Sequence, residues 1–213
     1  MALDTGGPEA ARRWIEAAHP EHPSLVDVGH VCDELLGFVN VPSSVWIDEE
    51  GMIVRPAEPA WPGSTPVLDW LPSLDEELPP ERAGTAAEIR KMHIDPERSL
   101  RMLEDWVEHG AASPYALSPD EVVARSRPRR PEAGRAAAHF ELGQHLFGLG
   151  DHDGAAVHWR AAHRLQPDNW TYKRQAWNLE AADSVGPSRR YEGGWLEDVR
   201  ATGAANYYPP LEP

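Results

Sequence analysis

The sequence predicts an α/β fold at the N-terminus followed by an all-α region. Three observations support this prediction. Short apolar segments alternate with helix-like segments in residues 1–55, seven of the 28 residues from 55 to 82 are proline, and residues 83–183 carry helical patterns throughout. We therefore divide the 213-residue chain into an α/β domain at 1–55, a Pro-rich linker at 56–82, a helical domain at 83–183 and an irregular tail at 184–213.

Charge and composition narrow the class of protein. The net charge is −15, and residues 1–82 hold 16 acidic but only 4 basic side chains. Such a surface repels phosphate groups, so we expect no nucleic-acid partner and no membrane surface. The N-terminus lacks a signal-peptide pattern, no window has eighteen uninterrupted apolar residues, and there is one cysteine. We expect a cytoplasmic protein.

The first domain is predicted from short alternating elements. A helix is expected from Pro8 to Ala18 with proline in its first turn, then a strand from Ser24 to Val28 and a helical turn from Val31 to Leu36. Strands at Ser44–Asp48 and Met52–Val54 are joined by an acidic, Gly-ending turn, which predicts an antiparallel hairpin.

Helix starts are readable in the all-α region. Asp95 precedes Pro96 and Ser118 precedes Pro119, so each polar side chain can accept from the unpaired N–H groups of a first turn. The first of these helices is expected to end near His109, with Leu100, Leu103 and Val107 on one face. Further helices are expected at about 132–149, 153–166 and 169–183.

The most regular spacing lies in residues 136–169. Seven positions match a 34-residue helix-pair pattern: Leu142, Gly143, Leu146, Ala155, Trp159, Ala162 and Pro167. The segment resembles a tetratricopeptide (TPR) repeat. Two interpretations stay open: a helical pair packed on a neighbouring domain, or a protein-binding groove lined by Phe140, Gln144 and Phe147.

A second motif lies in the predicted hairpin. The chain reads V-P-S-S-V-W-I-D from Val41 to Asp48 and then E-E-G-M-I-V to Val54. With its upstream order of elements, the range 2–55 resembles the ResA/TlpA type of the thioredoxin-like superfamily. The resemblance implies a cis Val41–Pro42 bond whose preceding backbone is presented to a substrate thiol. The alternative is that Pro42 merely starts an edge strand.

The chain departs from that family at one place. The strand and W-x-x-C-x-x-C turn that would precede Leu3-Asp4 are not in the sequence. By family analogy that strand lies in the sheet interior, between Ala2–Asp4 and Ser44–Asp48. We therefore expect an N-terminally truncated chain whose parent carries a redox cysteine, or a selenocysteine, upstream of Met1. The resemblance implies thiol–disulfide or peroxide chemistry for the parent, with thiol, disulfide or peroxide substrates and no cofactor, and an inactive chain as written.

The remaining candidates for chemistry are weaker. Cys32 lies near a helix start and His30, which lower a thiol pKa, but beside two carboxylates, which raise it, so we interpret it as structural. His19, His22, His30 and Cys32 offer zinc-ligand types at a spacing that matches no structural zinc pattern, so we expect no metal. The rival function is a non-catalytic scaffold that binds a protein partner through its helical domain.

Overall fold

The computed structural model describes residues 1–61, 68, 71, 78–126, 130–180, 191 and 193–212. The described residues form a mixed α/β structure with many helices, as expected. The strands are β1 (Ala2–Leu3), β2 (Val26–Asp27), β3 (Ser43–Ile47) and β4 (Ile53–Pro59). The helices are α1 (Gly7–Ala18), α2 (Val31–Leu36), α3 (Pro80–Ile89), α4 (Pro96–His109), α5 (Pro119–Ser126), α6 (Pro131–Gly148), α7 (His152–Leu165), α8 (Trp170–Glu180) and α9 (Trp195–Thr202).

The chain forms two compact units. Unit 1 comprises Met1–Val39 and Pro128–Gly194, and unit 2 comprises Asn40–Arg127 and Trp195–Pro213. These units cut across the ranges 1–55 and 83–183, because each joins a piece of the α/β region to helices distant in sequence.

Unit 1 begins with a small parallel sheet. β1 pairs with β2, with Ala2 opposite Val26, and α1 connects the two strands. Parallel neighbours need such a crossover, and the helix starts where proline sits in its first turn. The predicted strand–helix–strand order is therefore present, although the second strand is shorter than expected.

The two longest helices of unit 1 pack closely on each other. Small residues of α6 and α7, including Gly143, Ala155 and Ala162, are buried at this contact. A Cβ on Gly143 would lie 2.6 Å from the Trp159 ring, so the indole fills the space that the missing side chain leaves. The helical pair expected from the 136–169 spacing forms.

Helix α8 is enclosed on nearly all sides. Trp170, Tyr172 and Trp177 are each at most 3% exposed. The Trp170 N–H donates to the Val39 carbonyl oxygen at 2.6 Å, and the Thr5 N–H donates to Gln175 Oε1 at 3.4 Å. These bonds attach α8 to the N-terminal part of unit 1.

Unit 2 is built on an antiparallel hairpin. β3 pairs with β4, with Trp46 opposite Arg55 and irregular register on either side of Trp46. The Trp46 indole stacks on Trp106 of α4 at 4.9 Å between ring centroids. The buried residues of α4 are Ser99 and Met102, whereas Val107 is exposed.

Two predicted irregular ranges contain regular structure. In the linker range 56–82, β4 continues to Pro59 and α3 begins at Pro80, while 62–67, 69–70 and 72–77 lie outside the described residues. In the tail range 184–213, α9 is a helix of eight residues, too short to show clear periodicity. Across the part of the chain described above, no helix is long and apolar enough to span a membrane.

Candidate functional site

The candidate site is the Val41–Pro42 loop, residues 40–42, which leads into β3. The Val41–Pro42 peptide bond is cis, as the resemblance implies. Val41 is half-buried and Pro42 is exposed. The loop belongs to unit 2, and the Pro42 carbonyl oxygen accepts from the Ala60 N–H at 3.3 Å, just past the end of β4.

Both backbone polar groups of Val41 are engaged. Its N–H donates to Asn40 Oδ1 at 2.9 Å, and its carbonyl oxygen accepts from the Tyr208 hydroxyl at 2.7 Å. The buried Asn40 side chain also donates through Nδ2 to the Tyr207 carbonyl oxygen at 3.0 Å. The loop is thus held by its own Asn40 side chain and by Tyr207 and Tyr208 of the C-terminal segment, residues 203–212.

The C-terminal segment is itself fixed by aromatic contacts. Tyr208 meets the Trp61 ring edge-on at 5.1 Å between centroids, and Trp195 Nε1 donates to the Tyr207 hydroxyl at 3.0 Å. Both tyrosines are at most 6% exposed. The sequence predicts an irregular tail at 184–213, and the adjacent Tyr207 and Tyr208 are the signal in it that this tail holds the loop.

A cavity of about 340 Å³ lies in unit 2 between β3, α4 and the C-terminal segment. Its walls are mostly apolar and include Trp46, Met102, Trp106 and Leu211. The charged side chain in its lining is Glu58, whose carboxylate pairs with the buried Arg55 guanidinium. Such a cavity suits an apolar group, since it offers little to recognise a charged one.

Cys32 is held in an environment that favours a structural role. The thiol-bearing residue is half-buried in α2, and its N–H donates to Asp27 Oδ2 at 2.8 Å. The same Asp27 carboxylate accepts from the Val31 N–H at 3.0 Å. The Asp27 carboxylate thus binds backbone N–H groups at the start of α2, where Cys32 lies.

Next to Cys32 lies a buried polar cluster. His30 Nδ1 is 3.1 Å from Asp33 Oδ2, and the Thr171 hydroxyl donates to the same oxygen at 2.8 Å. Burial raises the pKa of Asp33, against the opposing effect of these hydrogen bonds. His30 also contacts the Phe140 ring edge-on, so the cluster ties α2 to α6 and α8 within unit 1.

The three predicted partner-binding residues, Phe140, Gln144 and Phe147, differ in their burial and in their contacts. Phe140 is 2% exposed and stacks on Tyr172 at 4.1 Å between centroids, so it presents no surface to a partner. Gln144 is half-buried, and its Nε2 is a buried donor without a hydrogen-bond partner. Phe147 is half-buried and stacks on His152 at 4.4 Å.

The histidines and the cysteine weighed as zinc ligands are not assembled into a site. No group of three or more His, Cys, Asp or Glu side chains in the described ranges could hold a metal ion. His30 is instead bonded to Asp33, while His19 and His22 are exposed. His139 and His158 come together from two different helices, with their Nδ1 atoms 2.8 Å apart, and no spacing within one helix predicts this pair.

Comparison with known proteins gives no significant match among protein-family models, curated proteins or solved structures.

Proposed function

We propose that this chain is the substrate-positioning and helical part of a thioredoxin-like oxidoreductase of the ResA/TlpA type. The observation that carries the proposal is the order of elements. A parallel β1–α1–β2 unit, the short α2, the Val41–Pro42 loop and the antiparallel β3–β4 hairpin follow one another as the resemblance implies. Its activity would be thiol–disulfide or peroxide reduction.

In this proposal the chain positions a substrate and a nucleophile outside residues 1–213 reacts with it. A thiolate or selenolate attacks the substrate disulfide and releases one substrate thiolate, which leaves a mixed disulfide or selenenylsulfide. A second protein thiolate then attacks the protein sulfur or selenium of that bond, which releases the second substrate thiolate and closes the protein disulfide or selenenylsulfide. The substrate backbone would pair with Val41. Because Asn40 Oδ1 bonds the Val41 N–H and the Tyr208 hydroxyl bonds the Val41 carbonyl oxygen, a substrate backbone would pair with Val41 by displacing one of these groups.

The direct test is to sequence the genomic DNA upstream of the Met1 codon and translate it in frame, reading through UGA. The proposal expects W-x-x-C-x-x-C, or the same motif with UGA in place of one cysteine codon. A stop codon without such a motif, together with a ribosome-binding site immediately before Met1, would overturn it.

An enzyme assay of the 213-residue chain complements the sequencing. The proposal expects no reduction of insulin disulfides with a dithiol donor, because Cys32 is its single cysteine. If the chain is active and Cys32→Ser abolishes that activity, Cys32 is the nucleophile and our assignment of a structural role to it is wrong.

A second candidate function is a TPR-type scaffold that binds a protein partner. The observation that favours it is Gln144 of α6, whose buried Nε2 has no hydrogen-bond partner. A buried donor without a partner is costly and is satisfied when a ligand carbonyl reaches it.

A peptide-display selection against the purified chain tests this scaffold. We expect selected peptides to lose at least about tenfold in affinity when Gln144→Ala removes the donor, since one hydrogen bond contributes about 1.4 kcal/mol. Val123→Asp changes an exposed apolar residue of α5, outside α6, and serves as the control. This variant should leave the peptide affinity unchanged. No enrichment of peptides, or equal loss in both variants, would contradict the scaffold.

A further inference from the structure

The cavity of unit 2 has walls that are fixed by their own contacts. Trp46 and Trp106 both line it, and their rings stack with 18° between the ring planes. Leu211, also in the lining, precedes Glu212, whose carbonyl oxygen accepts from Arg55 Nη2 at 2.6 Å. A ligand would therefore enter a cavity that is already formed, which is the usual condition of small-molecule sites.

The size and the surface of this cavity limit the kind of ligand. Its volume of about 340 Å³ lies at the lower end of the range for small-molecule sites. Its apolar wall includes the two indole rings together with Met102 and Leu103 of α4. Aromatic rings pack on one another edge-on or in offset stacks, so these walls favour a ligand of one or two aromatic rings.

Two polar side chains of the lining have hydrogen-bonding capacity left. Glu58 Oε1 pairs with Arg55, whereas Glu58 Oε2 makes no hydrogen bond within the described residues. The buried Ser99 hydroxyl accepts from the Trp61 N–H at 2.9 Å, and its own proton remains available. Because a carboxylate only accepts, the Glu58 side chain offers a place for an N–H or O–H group of a ligand.

We propose that this cavity binds a small neutral molecule of one or two aromatic rings that carries an N–H or O–H donor. The rings pack beside Trp46 and Trp106, and the donor bonds the Glu58 carboxylate. An anionic ligand would bring a second negative charge to Glu58, and a cationic one would compete with Arg55 for it. The site consists of residues of unit 2 alone, so it does not depend on the redox group of the proposed function.

Calorimetric titration of the full chain with indole tests the proposal, and we expect one saturable site. 1-Methylindole has the same rings without the N–H donor. It should bind at least about tenfold more weakly than indole, because the hydrogen bond to a charged acceptor is lost. Indole-3-carboxylate, which is anionic, should show no saturable binding over the same concentrations.

Three variants locate the site. Leu103→Trp places a larger ring in the cavity and should weaken the indole affinity at least about tenfold. Val107→Trp adds the same side chain at an exposed position of α4 outside the lining, so this control should bind indole as wild type does. Glu58→Gln keeps an oxygen for Arg55 but loses the carboxylate, and it should reduce the preference for indole over 1-methylindole. Circular dichroism checks that each variant folds.

The proposal is overturned if the wild type shows no saturable indole site, or if folded Leu103→Trp binds indole as tightly as wild type. It is also overturned if Val107→Trp loses as much affinity as Leu103→Trp, or if 1-methylindole binds as tightly as indole. If Leu103→Trp does not fold, Glu58→Gln decides the outcome, and an unchanged preference for indole in that variant contradicts the proposal.

Discussion

At the scale of single residues, Arg55 shows how unit 2 satisfies a buried charge. Its guanidinium pairs with the Glu58 carboxylate and donates to two backbone oxygens, Tyr115 O at 3.0 Å and Glu212 O at 2.6 Å. Arg55 has no exposed surface and lies 5.4 Å from the Trp46 ring. A planar fork can join β4, the segment after α4 and the C-terminal segment in this way, whereas a lysine cannot.

We therefore expect Arg55→Met to lower the free energy of unfolding by about 3 kcal/mol, because Glu58 and two carbonyl groups lose their donor. Urea denaturation measures this. Arg12→Met is the control, since the Arg12–Glu9 pair, 2.7 Å apart, is exposed and should contribute little to stability. Equal losses of unfolding free energy in the two variants would show that the buried bonds of Arg55 add no more stability than an exposed ion pair.

Residue-level prediction from sequence succeeded where the signal was local. The expected capping of α4 is present, with Asp95 Oδ1 accepting from the Arg98 N–H at 3.0 Å. Ser118 and Glu121 form the reciprocal bonds of a capping box at α5. The Tyr208–Val41 and His139–His158 contacts were missed, because each joins residues separated along the chain by lengths that no local pattern records.

At the scale of elements, the α6–α7 pair depends on the absence of a side chain at Gly143. A methyl group there would lie 2.6 Å from both Trp159 Cδ1 and Nε1, and Trp159 is fully buried. The indole therefore has no space into which to move. The spacing in residues 136–169 predicted this contact, since small residues and a tryptophan recur where two helices approach.

Gly143→Ala should lower the free energy of unfolding by about 2–3 kcal/mol through overpacking against Trp159. Gly134→Ala on the same helix is the matched control, because a Cβ there meets nothing within 4 Å. It should raise stability by about 0.5–1 kcal/mol through helix propensity. Thermal or urea unfolding measures the stability of the two variants. If Gly143→Ala leaves the free energy of unfolding unchanged, Gly143 and Trp159 do not approach as closely as described.

Helix α7 also carries a half-buried titratable group, His163. His163 Nε2 lies 3.0 Å from the Tyr191 hydroxyl, and burial, with a smaller contribution from Lys173, lowers the pKa of His163 to about 3 from 6.5. The unfolded chain binds a proton at this histidine below about pH 6.5 while the folded protein does not. The stability that neutral His163 contributes is therefore complete above pH 6.5 and is lost as pH falls towards 3.

Between pH 6 and pH 4 we expect wild type to lose about 1.4 kcal/mol per pH unit relative to His163→Gln, which does not titrate. Urea denaturation across this range measures the difference. The comparison cancels the opposite effect of Asp33, because both proteins contain it. The unfolding free energy of His145→Gln, changed at an exposed position, should vary with pH as that of wild type does. If the unfolding free energy of His163→Gln also varies as that of wild type does, the pKa of His163 is not lowered.

At the scale of the whole molecule, the sequence predicted individual helices and strands better than it predicted which of them belong to the same compact unit. Local sequence patterns located α1 and the β3–β4 hairpin, because strand and helix periods are local properties, whereas β1 was expected only from the resemblance. The division into two units could not be predicted in this way. It depends on the buried faces of α8, which contact Val39 and Thr5, and on the C-terminal tyrosines that hold the Val41–Pro42 loop.

The central claim is that these residues position a substrate for a redox group encoded upstream of Met1. The most direct measurement is the intact mass and N-terminal sequence of the native protein, captured from its source cells with an antibody against the 213-residue chain. Our account predicts a longer protein that carries a redox cysteine or selenocysteine before Leu3-Asp4. A native protein that begins at Met1 and contains Cys32 as its single cysteine would contradict it.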